Sequence, residues 1–243
     1  MIENRTSPKR VNPTSLLLYG APKVGKTTAL SKLKDCLIID TEKGSNYIEN
    51  CQIASINNLS ELKQLSQHLS EMKPYKYIAI DTLAMIVNWV QDNIVMEHNH
   101  ANPANPITSF ADLPYGLGYQ HRESKVFQIL KDFRSKCVTM ILIGHRKIAQ
   151  TNEQGLVDPA SLDMTGGIRN KLMAFCDSAG LIFRDEDQNL MVSFETSGDL
   201  EAGSRNKHLR GKVLPFEWDK IFLEPKKATV VNSKPRINKV KET

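Results

Sequence analysis

Four short, nearly unbroken apolar runs punctuate the first part of the chain: "SLLLYG" (15–20), "CLIIDTE" (36–42), "YKYIAIDT" (75–82) and "VTMILIGH" (138–145). Runs of this length without polar alternation are the pattern of strands buried on both faces, as in a parallel sheet. Between them the period becomes helical. "NLSELKQLSQHLSEM" (58–72) places Leu59, Leu62, Leu65, Leu69 and Met72 on one face, and Asn58 with Glu61 has the spacing of a capping box. "KTTALSKLK" (26–34), "LAMIVNWVQDNIVMEH" (83–98) and "YQHRESKVFQILKDFRSK" (119–136) read as further helices, the last with Val126, Ile129, Leu130 and Phe133 on one side. Strands alternating with helices predict an α/β fold, a mostly parallel central sheet with helices on both faces.

Two stretches break this periodicity. Residues 99–116, "NHANPANPITSFADLPYG", contain Pro103, Pro106 and Pro114 and read as a long loop. Residues 146–167 are polar and aperiodic. A helix (168–176), a strand (178–185) and late strand or loop elements (189–196 and 211–218) follow. No internal repeat is visible. The chain therefore reads as one domain, 15–224, between an N-terminal tail, 1–14, and a C-terminal tail, 225–243.

Composition narrows the setting. No apolar run approaches the ~18 residues of a membrane span, and the N-terminus has no apolar signal core, so a cytoplasmic protein without a membrane partner is expected. The four cysteines form no C-x-x-C pair, which argues for reduced thiols rather than a zinc site. The formal charge of +5 is mild, but the tail concentrates Lys226, Lys227, Lys234, Arg236, Lys239 and Lys241 against Glu242. That tail is expected to be disordered and to add non-specific affinity for a polyanion.

The chemistry begins at "YGAPKVGKTTAL". Gly20-Ala21-Pro22-Lys23-Val24-Gly25-Lys26-Thr27 matches the phosphate-binding loop G-x-x-x-x-G-K-[ST] in full, between a strand and a helix. Glycines let backbone N–H groups wrap phosphates, Lys26 reaches the β and γ oxygens, and the Thr27 hydroxyl meets magnesium. Thr28 completes the cradle, and Lys23 is expected to face water. Asp81, ending a strand, is the second magnesium candidate, or else a cap on the next helix. Asp40 and Glu42 stand just past the second strand, and Glu42 is the candidate to orient the attacking water, with a surface-turn role as the alternative. His145, ending the fourth strand, is a candidate γ-phosphate sensor or a structural histidine. ATP is expected over GTP because no N-K-x-D motif is present.

These motifs in this order resemble the RecA-type ATPase core: a P-loop, a strand ending Asp-x-Glu, a strand ending Asp-Thr, a strand ending Gly-His-Arg, then Thr-Gly-Gly before a helix. The resemblance runs from about Ser15 to Arg184. More narrowly, the compact size, "LPYGLGYQ" and the late "GSR" are similar to phage-encoded RecA-like ATPases, including single-strand annealing proteins. The resemblance implies that Glu42 activates water and that two loops, about 98–119 and 146–165, contact single-stranded DNA. Arg146, Lys147, Arg169 and Lys171 are then the candidate phosphate contacts, while Tyr115 and Tyr119 either stack on bases or pack internally. It also implies a homo-oligomer in which a neighbour's arginine reaches the phosphates, Arg205 being the first candidate and Arg210 the second. His stands where bacterial RecA has Gln, and no polymerisation or C-terminal domain is expected around the core. The function implied is a magnesium-dependent ATPase, phage-encoded and working in the host cytoplasm, that binds single-stranded DNA in annealing or recombination. The alternative is a replication accessory or loader ATPase acting through a protein partner, such as a single-strand-binding or replication protein. A small-molecule kinase is disfavoured, because residues 99–116 hold no Arg or Lys for a phosphate-covering lid.

Overall fold

The structure, a computed structural model, describes residues 10–45, 48–148, 150–151, 157–158, 160–197 and 200–224. The tail at 225–243, most of the tail at 1–14, and part of the proposed second loop lie outside the described residues.

In chain order the first half contains β1 (Ser15–Gly20), α1 (Lys26–Ser31), β2 (Cys36–Asp40), β3 (Gln52–Ser55), α2 (Leu59–Ser70), β4 (Tyr75–Asp81) and α3 (Leu83–Ala101). Then come α4 (Leu117–Arg134), β5 (Cys137–Lys147), β6 (Gln150–Thr151), β7 (Val157–Asp158), β8 (Ser161–Leu162), α5 (Gly166–Phe175) and β9 (Ser178–Arg184). β10 (Leu190–Ser193), β11 (Gly203–Ser204), β12 (Val213–Pro215) and α6 (Trp218–Ile221) complete it.

The central sheet runs β12-β10-β9-β1-β5-β4-β2-β3. From β9 to β3 every pairing is parallel, while β10 and β12 add antiparallel strands at one edge. The period-2 geometry of a strand sends alternate residues to opposite faces. Leu17 and Tyr19 of β1 accordingly join Ile78, Ile80, Met140 and Leu142 in a core covered by α2, α3, α4 and α5. Leu16 and Leu18 join Ile38, Ala79, Ile141 and Ile143 in a second core under α1 and α6. The expected α/β architecture with both faces covered is the one observed.

Local differences have physical reasons. α1 stops at Ser31 rather than near residue 34, and Asp35 turns the chain with a positive φ of 58° into β2. Met72 lies beyond the end of α2 and is exposed, so it leaves the apolar face. Asn58 caps α2 by accepting from the Glu61 N–H (2.9 Å), but the Glu61 carboxylate reaches one residue further back, to the Asn57 N–H (2.8 Å). α3 extends to Ala101, and the stretch read as a loop folds into two 3₁₀ turns, Phe110–Asp112 and Pro114–Gly116. β3, four residues on the sheet edge with only Ile53 and Ala54 apolar, is too short to carry an apolar signal. The cysteines are free, three of them buried, as expected of reduced thiols.

Because the strands are parallel, their C-terminal ends share one edge of the sheet. Gly20 is in register with His145, and Asp40 with Asp81.

Candidate phosphate-binding and hydrolytic site

The loop between β1 and α1 needs its two glycines for different reasons. A Cβ on Gly20 would stand 2.6 Å from the Ile182 carbonyl oxygen, so only glycine lets β1 run this close to β9. Gly25 caps α1 at φ 111°, in a region that L side chains rarely adopt. Lys23 is exposed, with φ 61°. Lys26, 7% exposed, folds back into the loop, where its Nζ donates to the carbonyls of Gly20 (3.1 Å) and Ala21 (2.9 Å). Burial pushes its ammonium pKa below the ordinary lysine value, opposed by the nearby carboxylates of Asp81 and Glu42.

Thr27 and Asp81 are brought together: the Thr27 hydroxyl donates to Asp81 Oδ2 at 2.6 Å. Asp81 is 6% exposed, and among the described residues Thr27 supplies the one hydrogen bond to its carboxylate. Burial pushes the Asp81 pKa up, more than the Thr27 hydroxyl and Lys26 pull it down. An under-bonded, buried carboxylate next to a hydroxyl on a phosphate loop fits a hard divalent cation. Among the described residues no group of three or more His, Cys, Asp or Glu side chains forms a metal cage. Magnesium is commonly held in the way this pair offers, by one or two protein oxygens with substrate phosphates and water completing the shell. When bound, such an ion neutralises charge on the phosphates.

Asp40 and Glu42, two residues apart, differ in kind. Asp40 is buried, and its carboxylate accepts from the Glu42, Gly44 and Ser45 backbone N–H groups and the Ser45 hydroxyl. Burial pushes its pKa up, but those bonds win and hold it below the ordinary aspartate value. Asp40 thus shapes the turn that presents Glu42. Glu42 Oε1 accepts from the Thr82 hydroxyl (2.7 Å) and lies 3.3 Å from His145 Nε2. To bond this carboxylate, the ring carries a proton on Nε2; its Nδ1 is buried without a partner among the described residues. The Thr41 hydroxyl accepts from the Thr82 N–H (2.8 Å) and donates to the Thr82 carbonyl (2.9 Å), tying the ends of β2 and β4 together. The Asp81–Thr82 peptide bond is cis.

Lys26, Thr27, Glu42, Asp81 and His145, drawn from four separate stretches of the sequence, thus form one linked polar set. The cations proposed for nucleic acid are more dispersed. Arg146 and Lys147 end β5, opposite Leu162 and Ser161 of β8. Arg169 donates from Nη1 to the Ser161 hydroxyl (3.1 Å) and pairs through Nε with Glu201 (3.4 Å), while Lys171 pairs with Glu123. Arg205 is 63% exposed and sits at the other edge of the sheet, beside Asp177 (3.6 Å), with an N–H bonded to the Ala174 carbonyl (2.7 Å). β1 alone separates these edges by about 20 Å at ~3.3 Å per residue, so Arg205 does not reach the loop of its own chain. Arg210 bonds the carbonyls of Ser204 and Arg205 at that same edge.

Two residues carried no sequence signal. Arg122, 2% exposed, packs against the rings of both Phe110 and Tyr119 (5.2 Å from each) and donates to the Thr165 hydroxyl (3.2 Å). It thereby joins the segment after α3 to the start of α5. Arg184, at the end of β9, places Nη2 3.5 Å from the position of a Cβ on Gly25. Tyr115 is 96% exposed at φ 55°, whereas Tyr119 packs edge-on against Phe110 at 5.1 Å.

A family model described as an AAA domain, AAA_24, matches residues 12–206. A search of curated proteins returned no match. Among solved structures the chain is similar to the crystal structure of the RadB recombinase, at 14% identity and a TM-score of 0.45, over 84% of this chain and 86% of that one.

Proposed function

The chain belongs to the AAA_24 family of AAA domains, and from that premise of a P-loop nucleotide-binding domain we propose that it is a magnesium-dependent ATPase acting on single-stranded DNA. The observation that carries the hydrolytic half is the linked set at the C-terminal edge of the sheet. In this reading the loop from Gly20 to Thr28 holds the phosphates, with Lys26 on the β and γ oxygens. Thr27 and Asp81 hold magnesium. Glu42, fixed by Thr82, orients the attacking water. His145, bonded to Glu42 and leading directly into Arg146, reports the state of the γ-phosphate to the segment that follows.

The DNA-binding half is supported by position. The segment after α3 exposes Tyr115, and Arg146 and Lys147 end β5 where the second segment departs; Arg122 ties the start of α5 to the first of these. An exposed aromatic and half-buried cations beside a nucleotide switch suit the stacking and phosphate contacts of a single strand. Arg169 and Lys171 join them by exchanging their carboxylate partners for phosphates. We further propose a phage-encoded protein, working as a homo-oligomer in annealing or recombination, with Arg205 serving a neighbour's site.

The test is fluorescence anisotropy of a labelled single-stranded oligonucleotide with magnesium and ATP, a non-hydrolysable analogue or no nucleotide, across a salt series. Nucleotide-dependent binding that falls steeply with salt supports the reading. Absence of binding at low salt in every nucleotide state overturns its DNA half and favours an accessory or loader ATPase that works through a protein partner.

A further inference from the structure

At the end of β2 away from Glu42, two cysteines meet across the β2–β3 pair. The parallel ladder sets Leu37 opposite Gln52, Ile38 opposite Ile53, Ile39 opposite Ala54 and Asp40 opposite Ser55. One step earlier the same register places Cys36, the first residue of β2, beside Cys51, the residue just before β3. Residues in register on parallel neighbours share a face of the sheet. Packing agrees: Cys36 and Ile38 lie in the core under α1 and α6, and Cys51 and Ile53 pack against that same core. Both cysteines also line one cavity of about 480 Å³, with Leu33 and Lys34, which follow α1, and with Asn50 and Gln52.

The spacing suits a bond between the sulfurs. Neighbouring strands stand about 4.8 Å apart, within the ~4.4–6.8 Å between Cα atoms that a disulfide spans. Cys36 is 4% exposed, and its place in β2 is fixed by pairing with Tyr77 of β4. Cys51 is half-buried and stands outside the ladder, next to Asn50 at φ 61°. The adjustment that brings the sulfurs together therefore falls on a turn and leaves the paired strands in place. The other two cysteines have no such neighbour: Cys137 begins β5, two strands away from β2, and Cys176 follows α5. Cys36 and Cys51 bracket residues 37–50, the segment that contains Asp40 and Glu42.

We infer that Cys36 and Cys51 are a reversible dithiol–disulfide pair, which a small-molecule disulfide such as oxidised glutathione converts into one cross-link at the base of the segment carrying Glu42. The Cys51 thiol, the more accessible, gives its proton to solvent and attacks one sulfur of the reagent; the reagent's S–S bond breaks, and one glutathione thiolate leaves and takes up a proton. Cys36, deprotonated in turn, attacks the Cys51 sulfur of this mixed disulfide and expels the second glutathione. Two electrons pass from the protein sulfurs to the reagent, and a reducing dithiol reverses the exchange. Burial pushes the Cys36 thiol up to about 12, with Cys51 adding to the rise, and burial raises Cys51 as well. Both thiols are therefore protonated near neutral pH, so the exchange is slow there and quickens as pH rises. The cross-linked form resists unfolding more than the reduced form, because the bond removes freedom from the unfolded chain.

The test incubates the full, folded chain with excess oxidised glutathione, blocks the remaining free thiols and maps tryptic peptides without reduction. Cleavage after Lys34 and Lys43 puts Cys36 and Cys51 on separate peptides. The expected product is those two peptides joined, formed at least about fivefold faster at about pH 8.5 than at about pH 7, and separated again by dithiothreitol. The oxidised chain should unfold at about 0.5–1 M higher urea than the reduced one. Cys51→Ser, a change at the half-buried partner, should abolish both the cross-link and the shift. A glutathione adduct on Cys51 that never proceeds to the cross-link, a bond between the Cys51 residues of two chains, or free thiols at both positions after prolonged exposure overturns the inference. So does a Cys36–Cys51 cross-link that lowers the urea midpoint.

Discussion

Two aspartates sit at opposite edges of the same sheet, each bonded to a threonine hydroxyl, and they are not alike. Asp177, just before β9, accepts from the Thr14 N–H (2.8 Å), the Thr14 hydroxyl (2.7 Å) and the Ser15 N–H (3.3 Å), with Arg205 beside it. Burial pushes its carboxyl up, but these donors more than offset that and hold it below the ordinary aspartate value. Asp81, at the other edge, is more deeply buried and has one donor, Thr27, and its pKa is raised. A saturated carboxylate ties a chain segment in place. An under-bonded one beside a phosphate loop suits the cation-holding role proposed for Asp81. Asp40 and Glu42 repeat the contrast within a single turn, the first saturated by that turn's own donors, the second turned toward His145.

Substitutions at the two edges should therefore separate activity from stability. The largest effect is expected at Lys26→Ala, which removes the buried ammonium from the loop: nucleotide affinity, read by calorimetry, should fall by about 100-fold or more, with turnover lost. Asp81→Asn should lower steady-state ATP turnover by about 100-fold, because charge stabilisation at the metal is weakened. Its unfolding free energy should stay within about 1 kcal/mol of wild type, since the carboxylate it replaces was poorly satisfied. Asp177→Ala should do the reverse, costing about 2–3 kcal/mol in urea unfolding by stranding the Thr14 and Ser15 donors, with turnover unchanged. Loss of turnover in Asp177→Ala at full stability would erase the distinction between the two edges.

The smallest effect is a pH dependence. Asp177 has a lowered folded pKa, so its contribution to stability is fully present above the ordinary aspartate value of about 4 and is lost as pH falls through the lower folded value. Asp177→Asn should flatten that part of the acid limb in urea-unfolding midpoints measured between about pH 2 and 5. An acid limb identical to wild type would assign the loss to other carboxylates.

Much of the polar set at the sheet's C-terminal edge could be read from the sequence because each member ends, or closely follows, a buried apolar run. A parallel sheet gathers strand ends at one edge, so Gly20, Glu42, Asp81 and His145 could be placed together before any contact was known. Residues whose surroundings depend on long-range packing were not legible. Arg122 occupies an ordinary helical position, and only the fold puts Phe110, Tyr119 and Thr165 around it. Arg184 reaches Gly25 because β9 pairs with β1, a contact no local pattern encodes. The late "GSR" holding Arg205 carries no register, and β11 pairing with the start of β9 takes it to the far edge. β3 has no legible signature because an edge strand of four residues with only Ile53 and Ala54 apolar is too short to show a pattern.

The account turns on Glu42 as the group that places the water, distinct from Asp40 two residues before it. The most direct test is single-turnover ATP hydrolysis by Glu42→Gln alongside its ATP affinity. If Glu42 places the water, affinity stays within about twofold of wild type and the rate falls about 100-fold, the usual scale for losing a positioned base. Hydrolysis at the wild-type rate would contradict it and move the search for the base elsewhere along the same edge.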